Sequence, residues 1–105
     1  MMVRKRKPTH PGIILEEHYI KPLKITKSFL ADSVGISRNT LYKILKKESR
    51  ITAEVAIRLA KALRTTPELW LNLQQQYDVW EAEHNKEIHS ENIRPIVPLA
   101  AISYR

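Results

Sequence analysis

The chain has 105 residues, 43% of them apolar, with no cysteine and a formal net charge of +7. A chain of this length supports one compact core and not two, and the missing thiols exclude a disulfide framework, a zinc–thiolate site and a cysteine nucleophile. No apolar run approaches the ~20 residues of a membrane span, and the first basic residues lead into no apolar segment of the secretory kind, so a cytoplasmic protein with no membrane partner is expected.

The charge is unevenly spread. Residues 1–65 hold 15 Lys/Arg against 5 Asp/Glu, a net +10, whereas residues 66–105 hold 3 against 6, a net −3. A basic portion joined to a mildly acidic one implies one surface for a polyanion and one with another task.

Residues 1–9 form a basic arm around Arg4-Lys5-Arg6-Lys7, which can follow phosphates, enter a minor groove or simply remain solvated. A helical domain is expected over residues 10–88. Its first helix starts around His10-Pro11-Gly12, with Pro11 suited to the first turn. Ile14, Leu15, Ile20 and Leu23 are its expected core residues, and Pro22 makes its last turn irregular.

Thr26 is a good cap for the second helix, whose apolar contacts are Phe29, Leu30 and Val34. Gly35 supplies a turn where φ is positive. Ser37 caps the third helix, in which Leu41, Ile44 and Leu45 make the buried stripe. Thr52 caps a fourth helix with Val55, Ile57, Leu59, Ala60 and Leu63 turned inward, and Glu54, Lys61 and Arg64 placed to suit the helix dipole.

Thr65 and Glu68 stand at capping-box spacing with Pro67 between them, and start a fifth helix running to about Lys86. Trp70, Leu73, Tyr77 and Trp80 alternate steps of three and four along it, as a packing seam does. They either close the monomer core or anchor a dimer or partner interface, where Trp and Tyr are favoured. The tail, residues 89–105, contains Pro95 and Pro98 and cannot continue the helix. Ile93, Ile96, Val97, Leu99 and Ile102 should pack it, as an extended segment, on its own domain or on a partner.

The most specific signal lies in residues 27–46, KSFLADSVGISRNTLYKILK. Counting from Lys27, the fifth residue is the small Ala31, where two helices cross closely, and the ninth is Gly35, at the turn. Leu30, Val34, Ile36, Leu41 and Ile44 fill the interior positions that lock one helix on the other. This is the spacing of a helix-turn-helix. Its second helix would lie in the major groove with Ser37, Arg38, Asn39, Thr40, Tyr42 and Lys43 as base-reading candidates, Arg38 suiting guanine and Asn39 adenine. Lys27, Lys46 and Lys47 are the candidates for phosphate.

Other chemistry has little support. With two glycines there is no backbone cradle for nucleotide phosphates. No nucleophile elbow or HExxH pair occurs, and His84 and His89 lack the spacing of a helical metal pair, so no catalytic residues, metal site or cofactor are expected.

The stretches HPGIIL, FLADSVGISRNTLYKIL, ITAEVAIRLAKAL and TTPELWLNLQQQYDVWEAE, covering His10 to Glu83, resemble the HigA-type antitoxins, the XRE/lambda-repressor-like class also called VapI or virulence-associated protein I. The resemblance implies an all-α, five-helix repressor-like fold. It also implies a homodimer on a palindromic operator in double-stranded DNA, and a partner toxin of the RelE-like, mRNA-cleaving ribonuclease class (HigB-type). Relatives often carry Gln where Lys27 stands, and many have a glycine-containing turn where this chain has Lys46-Lys47-Glu48-Ser49-Arg50. A stand-alone XRE-family repressor without a toxin is the alternative, and a protein-binding module that never uses DNA is a third.

Overall fold

The structure is a computed structural model and describes residues 6–85 and 89–99. Five helices, a short 3-10 turn at Ser90–Asn92 and no strand occur among these residues. Helix α1 covers residues 11–23: it is α-helical over Pro11–Leu15, widens into a π turn over Glu16–Ile20, and is α-helical again over Lys21–Leu23. The widening has a sequence cause. Pro22 offers no N–H, and its ring crowds the carbonyl four residues back; the π turn, with the Lys21 N–H donating to the Glu16 carbonyl, makes room for it. Leu15 and Ile20 enter the core, but Leu23 is 57% exposed and is not the core residue expected of it, since it follows the shifted turn.

Helix α2 (Lys27–Val34) and helix α3 (Arg38–Leu45) follow. Thr26 Oγ1 accepts the Phe29 N–H at 3.0 Å and Ser37 Oγ accepts the Thr40 N–H at 3.0 Å, so both predicted caps form. Phe29, expected to pack inward, is 59% exposed. Leu30 occupies the inner position instead, and the ~100° step between neighbours on a helix turns Phe29 away.

Helix α4 (Ala53–Leu63) begins at Thr52, whose Oγ1 accepts the Val55 N–H at 3.3 Å. It ends at Arg64, which takes the left-handed conformation at φ +56°. Val55, Ala56, Leu59 and Ala60 form its buried stripe, so Ile57 falls on the outside and is 47% exposed, contrary to expectation. Helix α5 (Pro67–Glu83) is capped by Thr66, not Thr65: Thr66 Oγ1 accepts the Leu69 N–H at 3.2 Å. The Thr65 hydroxyl is used differently. It accepts the indole N–H of Trp70 at 2.8 Å, so the expected capping box is replaced by a side-chain tether. The helix stops at Glu83 with His84 as its cap, short of Lys86.

Trp70 is fully buried, tilted against Tyr19 with ring centroids 5.7 Å apart, among Leu15, Leu41, Ile44 and Leu59. It closes the monomer core and is removed from the interface set. Leu73, Tyr77 and Trp80 are partly buried. The tail residues Ile93, Ile96, Val97 and Leu99 are 53–96% exposed, so this segment does not pack on its own domain; Ile102 lies outside the described residues. Of the arm, residues 6–9 are described. Lys7 turns back onto α5, its Nζ 2.6 Å from Glu81 Oε2 and 5.0 Å from the centre of the Tyr77 ring. The Glu81 hydrogen bond raises the pKa of this ammonium.

Candidate nucleic-acid interface

The α2–turn–α3 unit has the lock its spacing predicts. Leu30, Ala31, Val34, Leu41 and Ile44 are buried and Ile36 is partly buried. Gly35 sits at φ +82°, its N–H donating to the Ala31 carbonyl at 2.9 Å. Two constraints meet at that glycine. The left-handed backbone disfavours a side chain, and a Cβ there would lie 2.6 Å from Arg58 Nη1. Arg58 reaches from α4 to donate to the Val34 carbonyl at 3.3 Å, capping the end of α2, while Glu54 holds its Nε at 3.1 Å.

The far end of α3 is fixed by α1. A Cβ on Gly12 would lie 2.3 Å from the Ile44 carbonyl oxygen, so the two helices meet backbone to backbone. His10 starts α1 by accepting the Gly12 N–H on Nδ1 at 2.9 Å, and its ring meets Tyr77 edge-on at 4.8 Å. Burial, and then the nearby Lys47 charge, hold this imidazole below its usual pKa. The neutral ring, protonated on Nε2, is the form that can accept at Nδ1.

Locked at both ends, α3 presents its polar side to solvent. Arg38, Asn39, Tyr42 and Lys43 are exposed and Thr40 is half-buried. Ser37 is committed in part: besides accepting the Thr40 N–H, its hydroxyl donates to Thr40 Oγ1 at 2.8 Å. Arg38 Nη2 lies 3.9 Å from Asp32 on α2, a loose, exposed pair that leaves the guanidinium free to move. Lys27, Tyr42, Leu45 and Lys46 line one shallow groove of about 270 Å³, and Lys27 is 3.8 Å from Glu16. Among the described residues, Lys43, Lys46 and Lys47 enter no ion pair. Lys27, Tyr42 and Lys46 thus share one groove, Lys47 lies in a separate hollow with His10, Gln74 and Asp78, and Lys43, Lys46 and Lys47 leave positive charge uncompensated around the end of α3. Such a surface attracts a polyanion by releasing its condensed counterions.

The turn after α3 resolves where that helix ends. Lys46 closes it, and Lys47 takes the left-handed conformation at φ +64°, one that suits glycine. The sequence places His10 and Gly12 at the start of α1 but does not show their contacts with Tyr77 and Ile44, and it gives no sign of Arg58, Gln74 and Asp78, which with them hold the surface from behind. Gly12, one of two glycines and inside a helix, was the available signal.

The helix-turn-helix family model matches residues 18–70. An HTH-type transcriptional regulator of Haemophilus influenzae is 47% identical over 92 residues, covering 86% of each chain. Antitoxin HigA-1 of Vibrio cholerae is 35% identical over 96 residues, covering 91% of this chain and 90% of its own. Among solved structures, antitoxin GraA in complex with its operator superposes with a TM-score of 0.82 at 31% identity, covering 93% of this chain and all of that one.

Proposed function

The chain belongs to the helix-turn-helix family, among the HigA-type antitoxins, and on that premise we propose that it is the antitoxin of a toxin–antitoxin pair that represses its own operon as a dimer. In this reading α3 lies in the major groove of a palindromic operator. Arg38 and Asn39, at its leading end, read base edges together with Ser37, Thr40, Tyr42 and Lys43, while Lys27, Lys46 and Lys47 neutralise phosphates. The observation that carries this is the run of exposed, unpaired cations at the end of a helix whose opposite side is locked by Ala31, Gly35 and Gly12. The likeness to an antitoxin bound to its operator supports the same reading.

The partner toxin is proposed to be an mRNA-cleaving ribonuclease of the RelE-like, HigB type. Twofold symmetry would set two recognition helices about 34 Å apart, with Leu73, Tyr77, Trp80 and the exposed apolar tail as the surface for a second copy or the toxin. Footprinting on the DNA upstream of the reading frame tests the operator part: two protected half-sites one helical turn apart are expected, and a single isolated half-site would refute the dimer on a palindrome. Growth rescue on co-expression with a neighbouring short basic reading frame tests the toxin part. The absence of rescue would favour the alternative, a stand-alone XRE-family repressor.

A further inference from the structure

The loop that follows α3 is tied to α5 by a chain of polar contacts. Gln74 is 3% exposed, and its Oε1 accepts the buried Ile51 N–H at 2.8 Å. Its Nε2 donates to Asp78 Oδ1 at 2.9 Å, and the other carboxylate oxygen of Asp78 lies 2.6 Å from Arg50 Nη2, an ion pair without hydrogen-bond geometry. Two residues of α5, one turn apart, thus hold Arg50 and Ile51, and with them the turn that carries Lys47. Within the turn, the Lys47 N–H donates to the Ile44 carbonyl at 3.1 Å and the Glu48 N–H to the Lys43 carbonyl at 2.8 Å.

A lysine at φ +64° is strained where glycine would not be, and such strain persists only where the surroundings over-determine the backbone. The turn's own backbone bonds supply that at Lys47, as they do at Lys24 and Arg64, and the Gln74–Asp78–Arg50 clamp adds a hold on Arg50 and Ile51 just beyond it. What the lysine adds that a glycine could not is a positive charge at the end of the recognition helix. We propose that Gln74, Asp78 and Arg50 are positioning residues for operator binding, which hold the 47–51 loop so that Lys47 meets a phosphate in fixed register. Arg50 is committed to Asp78 and is not itself the phosphate contact. The proposal rests on the operator-binding reading above and adds to it a mechanical link from α5 to the DNA surface.

The test is fluorescence anisotropy on the footprinted operator duplex between 50 and 300 mM salt, with thermal melts to show that each variant is folded. Lys47→Ala should lower the salt slope by about one per protomer. Arg50→Met should lower it by a similar amount. Asp78→Asn is the telling variant. It removes a negative charge, which by electrostatics alone would tighten binding; the clamp requires it to weaken binding several-fold and flatten the slope. Combined with Lys47→Ala, Asp78→Asn should flatten the slope no further.

Tighter binding or a steeper slope for Asp78→Asn would overturn the proposal, since Asp78 would then merely withhold Arg50 from DNA. So would a loss confined to Arg50→Met, which would make Arg50 the phosphate contact. Failure of the unaltered protein to bind the duplex with salt dependence would instead sink the operator reading itself.

Discussion

Lys47 has φ +64°, just beyond the last turn of α3, and makes no ion pair among the described residues, so its backbone and its side chain can be separated by one substitution, Lys47→Gly. The left-handed conformation costs an L-residue about 1–2 kcal/mol. Glycine removes that cost but loses more backbone freedom on folding, about 0.5–1 kcal/mol. The net is a stabilisation of about 0.5–1 kcal/mol, or a rise in Tm of about 2–8 °C for a domain of this size. DNA affinity should move the other way. One lost phosphate contact removes about 0.9 from the salt slope, which at 0.15 M salt is about fivefold in affinity per protomer and about 30-fold for a dimer. Calorimetry and anisotropy on the same preparation measure both. A lower Tm would refute the backbone part of the reasoning, and an unchanged salt slope would remove Lys47 from the phosphate contacts.

Gly12→Ala would place a methyl against the Ile44 carbonyl and should cost about 1–3 kcal/mol, read as a lower urea midpoint; an unchanged midpoint would mean that α1 and α3 can part freely. His10 has its pKa lowered in the fold, so the neutral form is the one favoured by folding and the contribution is complete above the ordinary histidine range of ~6.5. Stability should therefore fall as pH drops below that range toward the lowered folded value. His10→Asn, which can still cap α1, should flatten this part of the Tm–pH profile, and an unaltered profile would point to another group. Arg38→Ala should cost about 1–3 kcal/mol in operator binding and relax one base position; unchanged preference across an operator library would exclude Arg38 from base reading. Trp80→Glu should give monomers in light scattering, and a dimer that persists would place the seam elsewhere.

The local layer of this protein is written in its sequence. Thr26, Ser37 and Thr52 cap because their hydroxyls reach the N–H three residues on. Ala31 and Gly35 announce the motif because close helix crossing and positive φ tolerate few other residues. The exposed polar side of α3 was legible for the same reason: once Leu41 and Ile44 are assigned inward, helical periodicity sends Arg38, Asn39, Tyr42 and Lys43 outward.

What escaped the sequence is everything whose partner lies far along the chain or whose assignment turns on a single helical step. Leu23, Phe29 and Ile57 are apolar yet exposed, and only the packed angles of their helices show which side each one takes. Trp70 reads by type and spacing as either a core residue or an interface anchor, and only its enclosure by Tyr19 and Thr65 decides for the core. Gln74 gives no signal in a polar run of three glutamines, because its role depends on an N–H 23 residues earlier. A side chain's preference for helix or cap is settled among near neighbours in the chain, whereas burial and the backing of the exposed side of α3 are settled by where α1, α4 and α5 meet it in space.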